Sequence, residues 1–227
     1  MKIGILQTGH APDELRPEQG DYDALFARLL AGQGFEFKTY NVVDMVFPAS
    51  SADCDGWLIT GSKHGVYEDH AFIAPLERLI REIHAADIPL VGICFGHQII
   101  AQALGGQVEK FRGGWSVGRR EYDWQGRTLA LNAWHQDQVV TLPQDAKVLA
   151  SNDFCAYAAL AYGDHVLTVQ PHPEFDARFV EGLAIHRGPG VVPEAQLRDV
   201  MADLDKPVDN DVVARQIGQF FKERQPA

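Results

Sequence analysis

The strongest structural signal in this 227-residue sequence is the stretch Pro89-Leu90-Val91-Gly92-Ile93-Cys94-Phe95-Gly96-His97-Gln98. Its first half is an apolar run of strand length, and residues 96–104 have helical spacing before Gly105-Gly106 ends them. A cysteine therefore stands at a strand-to-helix junction, with a glycine two residues to either side. Backbone segments come close together at such a sharp turn, so the flanking positions must lack side chains. The pattern predicts a nucleophile elbow with Cys94 at its tip.

The segments before this elbow alternate between strand-like and helical patterns. Short apolar runs predict strands at 2–7, 35–43 and 56–60, and amphipathic spacing predicts helices at 21–30 and 71–86. Strands and helices that alternate at this rhythm are typical of parallel βαβ units. We therefore expect an α/β fold with a doubly wound, mostly parallel sheet flanked by helices.

The pattern changes after Gly106. Short strand-like pieces separated by turns predict a smaller antiparallel section, with strands at 107–110, 117–124, 128–133, 147–150 and 156–161. One more strand is expected at 166–170, and two helices are expected at 195–204 and 212–221. No composition shift marks a boundary, so residues 1–227 are expected to form a single domain.

Composition and charge exclude several functions. With 46% hydrophobic and 22% charged residues, the chain has ordinary globular values. The formal net charge is −11 and no basic run exceeds Arg119-Arg120. We therefore expect no nucleic-acid partner and no association with membranes. Three widely spaced cysteines and no secretory signal favour free thiols and a cytoplasmic location. Cys54 and Cys155, which lack an elbow, are interpreted as structural.

A second motif supplies a candidate base for Cys94. The stretch Val166-Leu167-Thr168-Val169-Gln170-Pro171-His172-Pro173-Glu174 is a strand followed by a histidine and an acid two residues later. A cysteine nucleophile needs a base to take its proton, and the base needs a carboxylate to fix its tautomer. Side chains two residues apart on an extended segment point the same way. Each motif alone has an ordinary explanation, a buried cysteine and a polar loop, but together they predict that Cys94, His172 and Glu174 act as one catalytic unit.

These two motifs resemble those of class I glutamine amidotransferases, in the expected order and over most of the chain. The resemblance implies a flavodoxin-like sheet and hydrolysis of a γ-glutamyl amide through a thioester, with no metal or organic cofactor. It also implies an oxyanion hole from the backbone N–H groups near Gly61 and of Phe95. Finally, it implies substrate contacts from Gln98 and from the segment containing His135, Gln136 and Asp137.

Simpler interpretations of these additional residues stay open. Gly61-Ser62 could be an ordinary turn, and the segment from His135 to Asp137 could be the start of a helix. Four other histidines, His64, His70, His97 and His165, are interpreted as surface or structural residues.

The resemblance leaves three functions open. The chain could be a glutaminase that releases ammonia for a separate synthetase subunit. It could instead be a stand-alone γ-glutamyl peptidase that cleaves γ-glutamyl peptides or conjugates with the same three residues. The third alternative is a non-catalytic binding or stress-response protein. It is the weakest of the three, because such a protein would not need His172 and Glu174.

Overall fold

The computed structural model describes residues 1–224, which form eleven β-strands and seven α-helices. The strands are β1 (Lys2–Leu6), β2 (Glu36–Tyr40), β3 (Gly56–Ile59), β4 (Leu90–Ile93), β5 (Gln107–Lys110), β6 (Ser116–Trp124), β7 (Arg127–His135), β8 (Asp137–Thr141), β9 (Ala146–Ser151), β10 (Ala159–Tyr162) and β11 (Val166–Val169). The helices are α1 (Arg16–Gln19), α2 (Tyr22–Leu29), α3 (Ile73–Ala85), α4 (Phe95–Ala103), α5 (Ala177–His186), α6 (Glu194–Asp203) and α7 (Asn210–Glu223).

Nine strands form one sheet in the order β2-β1-β3-β4-β11-β10-β9-β6-β7, and β5 pairs with β8 in a separate two-stranded sheet. The first five strands of that order are parallel to one another. Their order is that of a flavodoxin-like sheet. The predicted α/β, mostly parallel architecture is therefore confirmed for the part of the sheet that contains β4.

Helices cover both faces of the parallel strands. One hydrophobic cluster joins the strands to α3 and α4 through Leu76, Ile80 and Ile99. A second cluster, on the opposite face, joins them to α2 and α7 through Phe26 and Phe221. Parallel strands buried on both faces read as continuous apolar runs, which explains why β1, β3 and β4 were predicted within one residue of their observed ends.

The predicted antiparallel section is present, since β10, β9, β6 and β7 continue the main sheet and β5 and β8 form a separate two-stranded sheet. A tight turn at Gly163-Asp164 joins β10 to β11, and β9, β6 and β7 follow by antiparallel pairing. Because β11 is parallel to β4 and antiparallel to β10, it is the strand at which the two parts of the sheet meet.

The second half of the chain differs from the sequence-based expectations in several details. The strand expected at 156–161 lies at Ala159–Tyr162. The segment from His135 to Asp137 does not begin a helix, because it is the connection between β7 and β8. Helix α5 was not predicted, since Gly182 in its centre resembles a helix breaker. A side chain at Gly182 would clash with Leu15, because its β-carbon would lie 2.4 Å from Cδ2 of Leu15.

Within residues 1–224, no helix has both the length and the apolar composition needed to cross a membrane.

Candidate active site

Cys94 lies between the end of β4 and the start of α4, in a backbone conformation with φ 52° and ψ −102°. The neighbouring glycines leave no room for side chains. A β-carbon at Gly92 would lie 2.6 Å from the backbone of Gly96, and one at Gly96 would lie 2.4 Å from the carbonyl oxygen of Ile59. The structure therefore has the sharp strand-to-helix turn that the glycine spacing predicted.

The surrounding strands hold this strained turn in place. Non-glycine residues at positive φ cost about 1–3 kcal/mol unless their surroundings fix them. The backbone N–H of Cys94 donates to the carbonyl of Val169 on β11 at 2.8 Å, and that of Gly96 donates to the carbonyl of Thr60 at 3.1 Å. The elbow is thus fixed to the carboxyl ends of both neighbouring strands, where open α/β sheets place their sites.

His172 follows β11 and is held by three neighbours. Its Nδ1 lies 2.7 Å from Oε1 of Glu174, and both side chains are almost fully buried. Its backbone N–H donates to the carbonyl of Asn132 on β7 at 2.8 Å. The Phe175 ring stacks on the imidazole with a centroid distance of 3.9 Å and an interplanar angle of 4°. These contacts fix the orientation of the ring and leave Nε2 for another partner.

The charges around His172 favour its protonated form. Burial by itself would lower the pKa of His172, but the nearby carboxylate of Glu174 and the sulfur of Cys94 outweigh this effect and raise it above its usual value of 6.5. A cationic imidazole beside a sulfur is the electrostatic setting that favours a thiolate.

Gly61 lies against the side chains of both Cys94 and His172. A β-carbon at this position would stand 3.0 Å from Cε1 of His172 and 3.7 Å from Cβ of Cys94. Thr8 fixes the loop, since its hydroxyl lies 3.1 Å from the carbonyl oxygen of Gly61 and its own carbonyl accepts a hydrogen bond from the Ser62 hydroxyl at 2.7 Å. Gly61 is therefore part of a braced loop, and the interpretation as an ordinary turn does not describe it.

Two backbone donors close to Cys94 have no acceptor within the described part of the protein. Among residues 1–224, the N–H groups of Gly61 and Phe95 donate to no protein acceptor. The Phe95 N–H is the first of helix α4, where N–H groups lack partners within the helix. Such donors suit an oxygen that becomes negatively charged during a reaction.

A cavity of about 340 Å³ opens at Cys94 and His172. Its volume lies at the low end of the range of small-molecule sites. The walls include aromatic and basic side chains from distant parts of the sequence, namely Tyr67, Trp115, Trp134, Lys63, Lys110 and Arg187. The cysteine is therefore buried yet faces a space that can hold a ligand.

All four residues expected to contact substrate line this cavity, namely Gln98, His135, Gln136 and Asp137. Two of them are already hydrogen bonded to a third. The carbonyl of Asp137 accepts from Nε2 of Gln98 at 2.9 Å and lies 3.1 Å from Nδ1 of His135. This carbonyl has two lone pairs, so both are used within the protein. Burial lowers the pKa of His135 to about 3, and the ring is neutral. These residues therefore also form the framework of the cavity wall.

The remaining histidines lie in other settings. His97 is buried, and its Nδ1 lies 2.8 Å from the hydroxyl of Thr168. His165 pairs with His84 at 2.9 Å between ring nitrogens. These contacts support a structural interpretation of His97 and His165.

Sequence reasoning missed several residues of the site. Phe175 directly follows Glu174, and an aromatic residue at that position was a signal available in the sequence. Tyr67 and Arg187 line the cavity but lie outside the motifs of the sequence, so only the fold brings them there.

The family model for "Glutamine amidotransferase class-I" matches residues 21–181 of this chain. That range includes the elbow, the His172–Glu174 pair and the wall segment that follows β7. The chain belongs to the class I glutamine amidotransferase family.

Several proteins named for different activities are similar to this amidotransferase-family chain. A glutamine-hydrolysing GMP synthase subunit of Archaeoglobus fulgidus is 33% identical over 179 residues, which are 74% of this chain and 91% of that protein. γ-Glutamyl peptidase 3 of Arabidopsis thaliana is 30% identical over 174 residues, which are 69% of this chain and 70% of that protein. The crystal structure of a glutamine amidotransferase from Methylobacillus flagellatus matches 100% of this chain and 95% of its own with a TM-score of 0.77 at 22% identity. That last likeness concerns the fold alone.

Proposed function

We propose that this chain is a cysteine hydrolase that cleaves the γ-amide of glutamine and releases ammonia. One observation carries the proposal. The buried imidazole of His172, oriented by Glu174 at 2.7 Å, faces a cysteine held at a strained elbow beside a cavity. A nucleophile, a base and a group that orients the base are the elements that covalent acyl transfer needs.

In the proposed mechanism, the thiolate of Cys94 attacks the γ-carbonyl carbon of the substrate. The N–H groups of Gly61 and Phe95 donate to the oxygen that becomes negative, a contribution typically worth about 10²–10³ in rate per donor. His172 gives its proton to the departing ammonia, and a γ-glutamyl thioester remains. His172 then takes a proton from water, which attacks the thioester and releases glutamate and the Cys94 thiolate, so that thiolate and imidazolium are both restored. Glu174 stabilises the imidazolium at the stages in which His172 is protonated.

The second candidate is cleavage of γ-glutamyl peptides, which follows the same chemistry with an amine as the leaving group. The cavity favours this candidate because it extends from Cys94 to Trp115 and Arg187. Among residues 1–224, the three basic residues of the wall, Lys63, Lys110 and Arg187, form no ion pair with a carboxylate. In a chain of net charge −11, this group could pair with the carboxylates of a peptide. The similarity to γ-glutamyl peptidase 3 supports it further.

The setting of the reaction is also part of the proposal. The similarity to a GMP synthase subunit supports a synthetase partner that receives the ammonia. The three free cysteines support a reducing compartment such as the cytoplasm. A single continuous sheet of nine strands supports one domain over the whole chain.

Steady-state hydrolysis of free glutamine and of a γ-glutamyl dipeptide, measured side by side, tests the proposal. We expect turnover of glutamine that is lost in the Cys94→Ala variant. A preference for the dipeptide would replace the first candidate with the second. No Cys94-dependent turnover of either substrate, together with unreactive Cys94 towards an alkylating γ-glutamyl analogue, would contradict both and favour a binding protein.

A further inference from the structure

A second group of reactive side chains lies at the rim of the cavity. His64, Glu68 and His70 belong to the segment between β3 and α3, and their ligand atoms all lie within 4.8 Å of one another. Oε2 of Glu68 is 2.8 Å from Nε2 of His70 and 3.7 Å from Nδ1 of His64. One carboxylate oxygen and two imidazole nitrogens thus converge on one point.

These separations fit the ligand sphere of a zinc ion. Zinc bonds to histidine nitrogen and carboxylate oxygen measure about 2.0–2.2 Å, so in a tetrahedral site neighbouring ligand atoms lie roughly 3.4 Å apart. The distances from Glu68 to the two histidines lie on either side of that value. Two histidines with one carboxylate form a ligand set that zinc uses with its fourth position open. The hard cations Mg²⁺ and Ca²⁺ prefer oxygen ligands and fit this set poorly.

The backbone that carries these ligands is anchored to the core. Val66 and Phe72 are buried, and Nε2 of Gln102 donates to the carbonyl of Val66 at 2.8 Å. The Phe72 ring lies 5.9 Å from the ring of His64 and 5.8 Å from that of His70. A segment whose backbone is anchored in this way loses less freedom when its side chains bind a metal, which favours affinity.

We propose that His64, Glu68 and His70 bind one zinc ion at the rim of the cavity. His64 and Glu68 line the cavity, so the fourth position of the ion is open to it and can take water or a carboxylate of a bound molecule. The expectation from sequence that His64 and His70 are only surface or structural histidines is replaced by this proposal. It does not rest on the proposed hydrolysis, because none of the three residues belongs to the catalytic unit.

The site also adjoins the reactive centre. His64 is three residues from Gly61, and the Phe72 ring lies 6.0 Å from that of Phe95. An ion at this position would stiffen the loop that carries Gly61 and add two positive charges beside the cavity.

Calorimetric titration of the full chain with Zn²⁺, in the Cys94→Ser background so that the thiol cannot bind the metal, tests the proposal. We expect one ion per chain and a tetrahedral visible absorption spectrum when Co²⁺ replaces Zn²⁺. Removing a ligand, as His70→Gln or Glu68→Gln, should weaken zinc binding by at least about 100-fold, because losing a ligand costs no less than losing one of its hydrogen-bonded neighbours.

A matched control separates this site from other histidines. His84→Gln removes one ring of the close His84–His165 pair and should leave zinc affinity unchanged. The proposal is overturned if His70→Gln and Glu68→Gln, folded by circular dichroism, bind zinc as tightly as their parent. It is equally overturned if His84→Gln is the variant that loses the ion, or if the parent binds none. None of these results bears on turnover, so the proposed hydrolysis can stand or fail separately.

Discussion

The parallel and antiparallel parts of the nine-stranded sheet contribute differently to the site. The parallel part holds Cys94 at the end of β4 and His172 after β11, which are adjacent strands with their carboxyl ends at one edge. The antiparallel part provides one wall of the cavity, through Trp134 and the connection from His135 to Asp137. Under the proposed function, chemistry comes from the first part and substrate selection from the second. Substitutions in the two parts should therefore affect different kinetic constants.

Among substitutions in the parallel part, replacing Cys94, the proposed nucleophile, should lower activity the most. Cys94→Ala is expected to lower kcat by at least about 10⁴-fold, because no other group can form the thioester. Cys54→Ala is the matched control, since Cys54 is also buried but lies just before β3, outside the cavity. Glutaminase assays on both variants check this, and undiminished activity in Cys94→Ala would remove Cys94 from the mechanism.

A side chain added at Gly96, inside the Cys94 elbow, should lower the stability of the protein. Gly96→Ala places a β-carbon 2.4 Å from the carbonyl oxygen of Ile59, and neither backbone can yield easily. We expect the free energy of unfolding to fall by about 3 kcal/mol or more, the upper end of overpacking effects. Gly34→Ala is the control, because its β-carbon meets no atom within 4 Å and only its φ of 81° opposes it, at about 1–2 kcal/mol. Urea unfolding of both variants would show equal losses if the elbow were not tightly packed.

Changing the orienting acid should have a smaller effect than losing the nucleophile. Glu174→Gln is expected to lower kcat by about 10²-fold, with nucleophile and base still present. Since the carboxylate stabilises the protonated ring, the pKa of His172 should fall in this variant. A pH titration of the His172 ring by NMR, in the Cys94→Ala background so that the thiol does not titrate, measures the change. An unchanged or higher pKa of His172 would show that Glu174 does not stabilise the protonated ring.

The smallest kinetic effect is expected from a substitution in the antiparallel part. Gln136→Ala removes a polar side chain of the cavity wall and should raise KM by about 3- to 10-fold, the value of one hydrogen bond, with kcat little changed. Gln144→Ala serves as the control, because Gln144 is an exposed glutamine in the turn between β8 and β9, outside the cavity. A fall in kcat with unchanged KM in Gln136→Ala would contradict the division between the two parts.

The same division explains what could be predicted from the sequence. The parallel strands are buried on both faces and the elbow needs glycines at fixed spacing, so β4, α4 and the Cys94 turn were predictable from local patterns. Strand β8 was not, because a single residue, Gln136, separates it from β7 and no turn pattern marks the connection.

The residues that line the cavity could not be predicted from local sequence patterns, for a different reason. Trp115, Arg187 and Tyr67 come together only when the antiparallel strands and α5 close over the carboxyl ends of the parallel ones. The convergence of His64, Glu68 and His70 likewise depends on how Phe72 anchors their segment. Their spacings in the sequence, four residues and then two, fit no single helical or strand period.

The stacking of Phe175 on His172 has a spectroscopic consequence. Nuclei that lie over the face of an aromatic ring are shielded by its circulating electrons, and the two rings are nearly parallel at 3.9 Å. The carbon-bound protons of the His172 ring should therefore resonate at unusually high field and stand apart from those of the other eight of the nine histidines in the chain. Phe175 thus provides a built-in label, through which the charge and position of the imidazole can be followed without any probe added to the protein.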